Sequence, residues 1–344
     1  MTDEFQMNAA PKSTDPACTA TEAPVVQWHE GELALPHPFV LESGAVLDDA
    51  RLAWTCVGPD EAPVVVVLGG ISAHRRPLAR DGRGWWESQC GAGKALDTNR
   101  YRLVGIDWLG GCDASTGPAA RDDAGIAQIS TADQARALLL LLNRLGIRRV
   151  HLIVGASYGG NVAQHLAALL GERLRHLLLL SAAHKAAQYG LALRHVQRAI
   201  LDLGADSPEA LALARSLAVL GYRTAEGVEA RFGGDMPADG HADGVLGWVG
   251  HHGRKFVRRF HAAAYRCLGQ SLDAHRVDPA DVRVPTTLFA VREDATVPLS
   301  LLHEYAARAG AACEIVEISS NYGHDAFLKE EAVVATVFKT CLAV

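Results

Sequence analysis

The sequence predicts an α/β protein, a mostly parallel doubly wound sheet with an inserted helical lid. Three observations predict it. Within Val150–Leu170 (VHLIVGASYGGNVAQHLAALL) an apolar run ends in Gly155-Ala156-Ser157-Tyr158-Gly159, and a helical pattern then begins. This is G-x-S-x-G in a strand–turn–helix setting, where a sharp, strained turn leaves the serine projecting at the mouth of a sheet. From residue 63 onward, apolar strand-like runs alternate with helical patterns, the signature of parallel strands joined by crossover helices. Between about Lys185 and Arg276 the strand signal disappears and helical patterns remain, as an insertion between two sheet strands would read.

Size and charge bound the alternatives. A chain of 344 residues with 49% apolar content can bury one large α/β domain. A formal charge of −6 argues against a nucleic-acid binder. Seven cysteines without metal-ligand spacing suit a reducing compartment and no bound metal. The first residues lack the basic start and apolar core of a signal peptide, and no stretch is long and uncharged enough to span a bilayer. The expectation is a cytoplasmic protein with no membrane association.

Taken in order, residues 1–24 are small, polar and proline-bearing, and read as a disordered tail. The first part of the core spans 25–184. Phe39–Leu41 and Arg51–Val57 carry β-formers around Ser43-Gly44 and read as an antiparallel hairpin. Pro63–Leu68 (PVVVVL) is a buried strand running into Gly69-Gly70, where a hydrolase-like fold keeps an oxyanion N–H. A long loop follows, with Trp85-Trp86 to pack it down or line a pocket, and Arg75, Arg76, Arg80 and Arg83 for solvent or an anionic ligand. Tyr101–Asp107 is a strand. Asp133–Leu145 is an apolar helix stopped by Gly146. His151–Val154 and Leu174–Ser181 are strands on either side of the elbow helix. The lid, 185–280, reads as helices over 188–201, 208–223 and 256–275, with a loop-rich piece at Phe232–Gly250. The core resumes over 281–344 with a strand at Thr286–Val291, a helix at Leu301–Arg308, a last strand at Cys313–Ile318 and a closing helix through Phe338.

Three polar side chains fall at strand ends. Ser157 follows the strand before the elbow, Asp294 follows TTLFAV, and His324 follows EIVEI. The chain order Ser, Asp, His is that of the α/β-hydrolase fold. His324 would take the Ser157 proton, Asp294 would hold the imidazole, and Ser157 would become acylated. Glu293 is the alternative acid. The backbone N–H of Tyr158, with one from Gly69 or Gly70, would meet the oxyanion. Chemistry alone leaves water and other acceptors open, although a lid that excludes water favours transfer to another nucleophile.

The chain resembles the homoserine O-acyltransferase family of the α/β-hydrolase superfamily from about residue 35 to its end. The resemblance is carried by Gly84-Trp85-Trp86, Gly91–Thr98 (GAGKALDT), Leu109-Gly110-Gly111-Cys112, Ser115-Thr116-Gly117-Pro118, the elbow, Gly253–Phe260 (GRKFVRRF) and Gly323–Leu328 (GHDAFL). It implies Ser157, Asp294 and His324 as nucleophile, acid and base, and Gly69 and Tyr158 as oxyanion donors. It implies Arg215 and Tyr222 as binders of the amino-acid substrate and Asp325 as partner of its ammonium group. It further implies acetyl-CoA or succinyl-CoA as co-substrate with no bound cofactor, L-homoserine as acceptor, a ping-pong cycle in methionine biosynthesis, and a homodimer joined through the lid helices.

The chain departs from the family pattern at several points. Tyr158 stands where methionine is usual, Gly69-Gly70-Ile71 where Leu-Thr-Gly is usual, Asp113-Ala114 where Tyr-Gly is usual, and His261 where an aspartate is usual. The backbone N–H groups survive these changes, while smaller residues near the oxyanion loop leave room for a bulkier acyl group such as succinyl. Serine differs from homoserine by one methylene, which discriminates weakly. A serine O-acyltransferase, an acyltransferase for another hydroxylated amine, a serine esterase and a non-catalytic binding protein stay open.

Overall fold

The computed structural model describes residues 26–118, 128–234 and 244–343, so the tail expected over 1–24 lies outside the described residues. The chain enters along β1 (Trp28–Ala34), turns through a ribbon of β2 (Phe39–Val40) and β3 (Val46–Leu47), and returns along β4 (Arg51–Val57). β1 and β4 pair antiparallel, with Trp28 opposite Val57 and Ala34 opposite Arg51. The hairpin expected between Phe39–Leu41 and Arg51–Val57 is thus two pairings. The turn at Ser43-Gly44 closes only the ribbon, with Gly44 at φ +82°. β4 instead pairs with a strand upstream of it.

Next come β5 (Val64–Leu68), β6 (Arg102–Ile106), α1 (Thr131–Arg144), β7 (Val150–Ala156), α2 (Tyr158–Leu170) and β8 (Leu174–Leu180). Ser130 and Asp133 start α1 as a reciprocal capping box, and Gly146 follows its end at φ +70°. Among the described residues the sheet has eight strands in the order β1-β4-β6-β5-β7-β8, then β9 (Thr286–Val291) and β10 (Cys313–Ile318). From β6 onward all pairings are parallel. Both faces are covered, which is why β5, β7 and β9 read as continuous apolar runs. Along β5, Val64, Val66 and Leu68 enter the core under α1 and α2, while Val65 and Val67 enter the opposite one with Trp86 and Phe338. α8 (Leu299–Arg308) joins the last two strands, and α9 (Ala326–Lys329) and α10 (Glu331–Ala343) close the chain.

Among the described residues, five α-helices lie between β8 and β9: α3 (Gln188–Leu203), α4 (Pro208–Tyr222), α5 (Ala225–Phe232), α6 (Val245–Phe256) and α7 (Ala262–Ala274). Two expectations are corrected here. The piece read as loop at Phe232–Gly250 contains the start of α6, and the pattern over 256–275 is cut by a turn before α7. His261 caps α7, its Nδ1 accepting from the Ala264 N–H at 3.3 Å. A glycine in α6 serves packing: a Cβ on Gly253 would lie 2.4 Å from the Ala212 carbonyl oxygen on α4.

The basic loop is used up structurally. Arg75 binds Asp107 through its backbone N–H and guanidinium, Arg76 pairs with Glu30, Arg80 lies over the Trp28 ring, and Arg83 faces Asp81. Trp86 is buried between Phe327 and Phe338. No helix among the described residues is long and apolar enough to cross a membrane.

Candidate active site

The turn between β7 and α2 holds Ser157 at φ +52°, ψ −119°. A non-glycine residue tolerates this only when its surroundings fix it. The Ser157 N–H donates to Leu180 O on β8, and the Ser157 carbonyl accepts from Gly160 and Asn161 at 2.9 and 3.2 Å. Three glycines let strand and helix meet at this bend. A Cβ on Gly155 would lie 2.6 Å from Gly160 Cα, one on Gly159 2.4 Å from the Leu68 carbonyl, and one on Gly160 2.3 Å from Ala182 Cβ.

His324 follows β10, in a single 3-10 turn entered through Gly323 at φ +53°. Its Nε2 lies 2.9 Å from Ser157 Oγ, and its Nδ1 lies 2.7 Å from Asp294 Oδ2. The other carboxylate oxygen, Asp294 Oδ1, accepts from Thr296 N, Thr296 Oγ1 and Val297 N at 2.9, 2.8 and 3.0 Å. Glu293 turns away and receives hydrogen bonds from Ser319 and Ser320. The carboxylate facing the imidazole is therefore that of Asp294. Both His324 and Asp294 are buried. Burial alone pushes the imidazole toward its neutral form, but the charge and hydrogen bond of Asp294, with the charge of Asp325, outweigh it and raise the His324 pKa above its ordinary value. A buried Ser–His–Asp chain of this geometry can deprotonate the serine as it attacks a carbonyl.

Tyr158 is the first residue of α2, where a backbone N–H has no intrahelical acceptor. Its side chain is fully buried, edge-on to Trp108, with the phenol oxygen 3.2 Å from Gln134 Nε2 and 3.0 Å from Ser271 Oγ on α7. Gly69 directly follows β5, and its carbonyl accepts from the Gly159 N–H at 2.8 Å. A side chain at Gly69 has no space, since a Cβ would lie 2.5 Å from Ala73 Cβ and 2.8 Å from the Trp85 ring. At Gly70 the space is open.

Two cavities meet at Ser157 and His324. The first is lined by the Gly70–Ala73 loop, Trp85, Arg215, Tyr222 and Asp325. The Arg215 guanidinium sits 4.8 Å from the Phe256 ring centre and 5.6 Å from that of Tyr222. The Tyr222 ring itself lies against His324 at 5.3 Å. Asp325 Oδ2 is 2.9 Å from Arg223 Nη2, an ion pair that reading of the sequence missed although Arg223 adjoins Tyr222. The second cavity runs under α3 and α7 and carries Lys185, Arg194, Gln197 and Arg198. Those arginines were indistinguishable in the sequence from solvent-facing charges on a helix. Among the described residues no group of three or more His, Cys, Asp or Glu could hold a metal ion.

Comparison with known proteins bears on this site. The family model for the alpha/beta hydrolase fold matches residues 63–331. The homoserine O-succinyltransferase of Xanthomonas campestris pv. campestris is 38% identical over 339 residues, covering 94% of this chain and 87% of that protein. The homoserine O-acetyltransferase of Thermobifida fusca is 32% identical over 378 residues, covering 96% and 99%. A crystallised variant of esterase E22 superposes with a TM-score of 0.80 at 16% identity, covering 92% of this chain and all of its own, a likeness of fold alone.

Proposed function

Since this chain belongs to the α/β-hydrolase fold family and, within it, to the homoserine O-acyltransferases, we propose that it moves an acyl group from acyl-CoA to the side-chain hydroxyl of L-homoserine, through an ester on Ser157. The observation carrying the proposal is the first cavity. One wall presents a guanidinium, Arg215, and a carboxylate, Asp325, beside Ser157 and His324. That pair of opposite charges complements the carboxylate and ammonium of a free amino acid, Asp325 being shared with Arg223 at 2.9 Å, whereas a simple ester substrate would make no use of Arg215.

In the first half-reaction Ser157 Oγ attacks the thioester carbonyl as His324 Nε2 takes its proton. The developing oxyanion is met by the N–H groups of Tyr158 and Gly69. The C–S bond breaks, and the imidazolium gives its proton to the departing sulfur. In the second, the homoserine hydroxyl attacks the Ser157 ester while losing its proton to His324, which returns it to Ser157 Oγ. Asp294 holds the imidazole in one tautomer throughout. The chain requires no metal or prosthetic group for these steps. We place this activity in methionine biosynthesis in the cytoplasm. A homodimer through the lid is supported by the apolar residues those helices expose, including Leu203, Leu213 and Leu246 at 91, 59 and 60%; a monomer by light scattering would overturn it.

The test is thiol release from acetyl-CoA and succinyl-CoA, each with homoserine and with serine. The expected result is homoserine-dependent release with at least one donor, abolished in Ser157→Ala. Release equally fast with water as the only acceptor would instead assign an esterase, and release dependent on serine alone a serine O-acyltransferase.

A further inference from the structure

The second cavity poses a separate question. Helix α3 places Arg194 and Arg198 one turn apart, and both reach into this space. Their side chains are only 18% and 24% exposed, and both lean on one carboxylate. Arg194 Nε donates to Asp273 Oδ1 at 2.5 Å, and Arg198 Nη1 lies 2.7 Å from Asp273 Oδ2. Two guanidinium groups against one carboxylate leave a surplus positive charge. Two other polar groups here are engaged: Lys185 Nζ donates to both oxygens of Glu304 at 2.8 Å, and Gln197 accepts from the Tyr265 hydroxyl at 2.8 Å, while the Ser181 hydroxyl is buried without a hydrogen-bond partner.

A half-buried surplus charge is costly unless an anion meets it. The cavity that holds it opens at Ser157 and His324, and the Arg194 charge is near enough to oppose protonation of His324. The carboxylate of the amino acid already has Arg215 in the other cavity. An acetyl group carries no charge to place here. Resting on the acyltransferase reading above, we infer that Arg194 and Arg198 form a carboxylate subsite for the far end of the acyl group, so that the donor is a dicarboxylic half-thioester of the succinyl type. Acylation then proceeds as for any thioester: the Ser157 O–C bond forms, the C–S bond breaks, and the serine proton passes through His324 to sulfur. The distal carboxylate is unchanged and stays bound between the two guanidinium groups.

The experiment follows acylation without acceptor, by stopped-flow thiol release and by the mass added to Ser157. Three donors are compared: succinyl-CoA, acetyl-CoA and butyryl-CoA, the last having the length of succinyl with a methyl in place of the carboxylate. All three share the CoA phosphates, so an effect of the arginines common to all would assign them to phosphate binding and overturn the inference. The expected result is wild-type acylation at least 10-fold faster, as kcat/KM, with succinyl-CoA than with butyryl-CoA. In Arg194→Gln and in Arg198→Gln the succinyl-to-butyryl ratio should fall by about 10- to 100-fold, the loss of one charge-assisted hydrogen bond. A wild-type ratio near one, or a ratio unmoved by either substitution, overturns the subsite while leaving acyl transfer intact. The donor comparison in the wild type stands even if a variant fails to fold. No acyl-enzyme from any of the three donors would remove the acyltransferase reading itself, and the subsite with it.

Discussion

Replacing Asp294 by asparagine should cripple the enzyme without disturbing its fold. Asp294 Oδ1 accepts three hydrogen bonds, from Thr296 N, Thr296 Oγ1 and Val297 N. In Asp294→Asn the amide oxygen must keep that position. Turning the amide over would forfeit the two backbone bonds, about 1 kcal/mol each, and press an NH₂ against two backbone N–H groups, the Thr296 hydroxyl alone being able to turn and accept. The amide nitrogen is therefore fixed against His324 Nδ1, where Oδ2 now lies at 2.7 Å. A donor there forces Nδ1 to accept, which puts the imidazole proton on Nε2, facing Ser157. Such a histidine donates to the serine and cannot take its proton. The expected loss is about 10⁴-fold in the acylation rate, or about 5 kcal/mol of barrier. The assay is the pre-steady-state burst of thiol from acyl-CoA, with circular dichroism to establish folding. A folded Asn variant acylating within 10-fold of wild type would refute the tautomer argument.

Three further outcomes follow from the same coordinates. Asp325 helps raise the His324 pKa, so Asp325→Asn should shift the acidic limb of the acylation rate, where the base becomes protonated, to lower pH; a limb that stays put or moves upward contradicts this. Arg215→Lys exchanges a planar fork for a point charge and should raise KM for homoserine about 10-fold or more, and a defect seen only in acylation without acceptor would show that Arg215 serves the donor. Burial pushes the His275 pKa down to about 3. Its neutral form then contributes stability that is fully present above the unfolded pKa near 6.5 and is lost as pH falls toward 3, at ~1.4 kcal/mol per pH unit. His275→Gln should flatten that slope in urea titrations between pH 6 and 4, and an unchanged slope would mean His275 is not held neutral.

The site was legible in the sequence wherever a strand ended in a polar residue. Ser157 and Asp294 follow β7 and β9, strands buried on both faces, where a polar residue can stand only past the end of the run; His324 follows β10, an edge strand carrying Glu314 and Glu317, and was legible from its place after the last strand. β1 was not legible: as an edge strand with mostly exposed side chains, WHEGELA carries almost no apolar signal. The beginning of α6 was hidden by Gly244, Gly247 and Gly250, which spell a loop in a linear reading; further along the same helix Gly253 is small because α4 crosses against it. The partnership of Arg223 with Asp325, and that of Arg194 and Arg198 with Asp273, join residues 79 or more positions apart in all but one case, at which range periodicity is silent.

The phenol of Tyr158 has a mechanical consequence. The residue that offers its backbone N–H beside the nucleophile is moored at its other end to Ser271, on the last helix of the roof. Drift of that helix would pull on the anchor and tilt the amide it steadies. Methionine, lacking the hydroxyl, would cut the line and let roof and amide move apart.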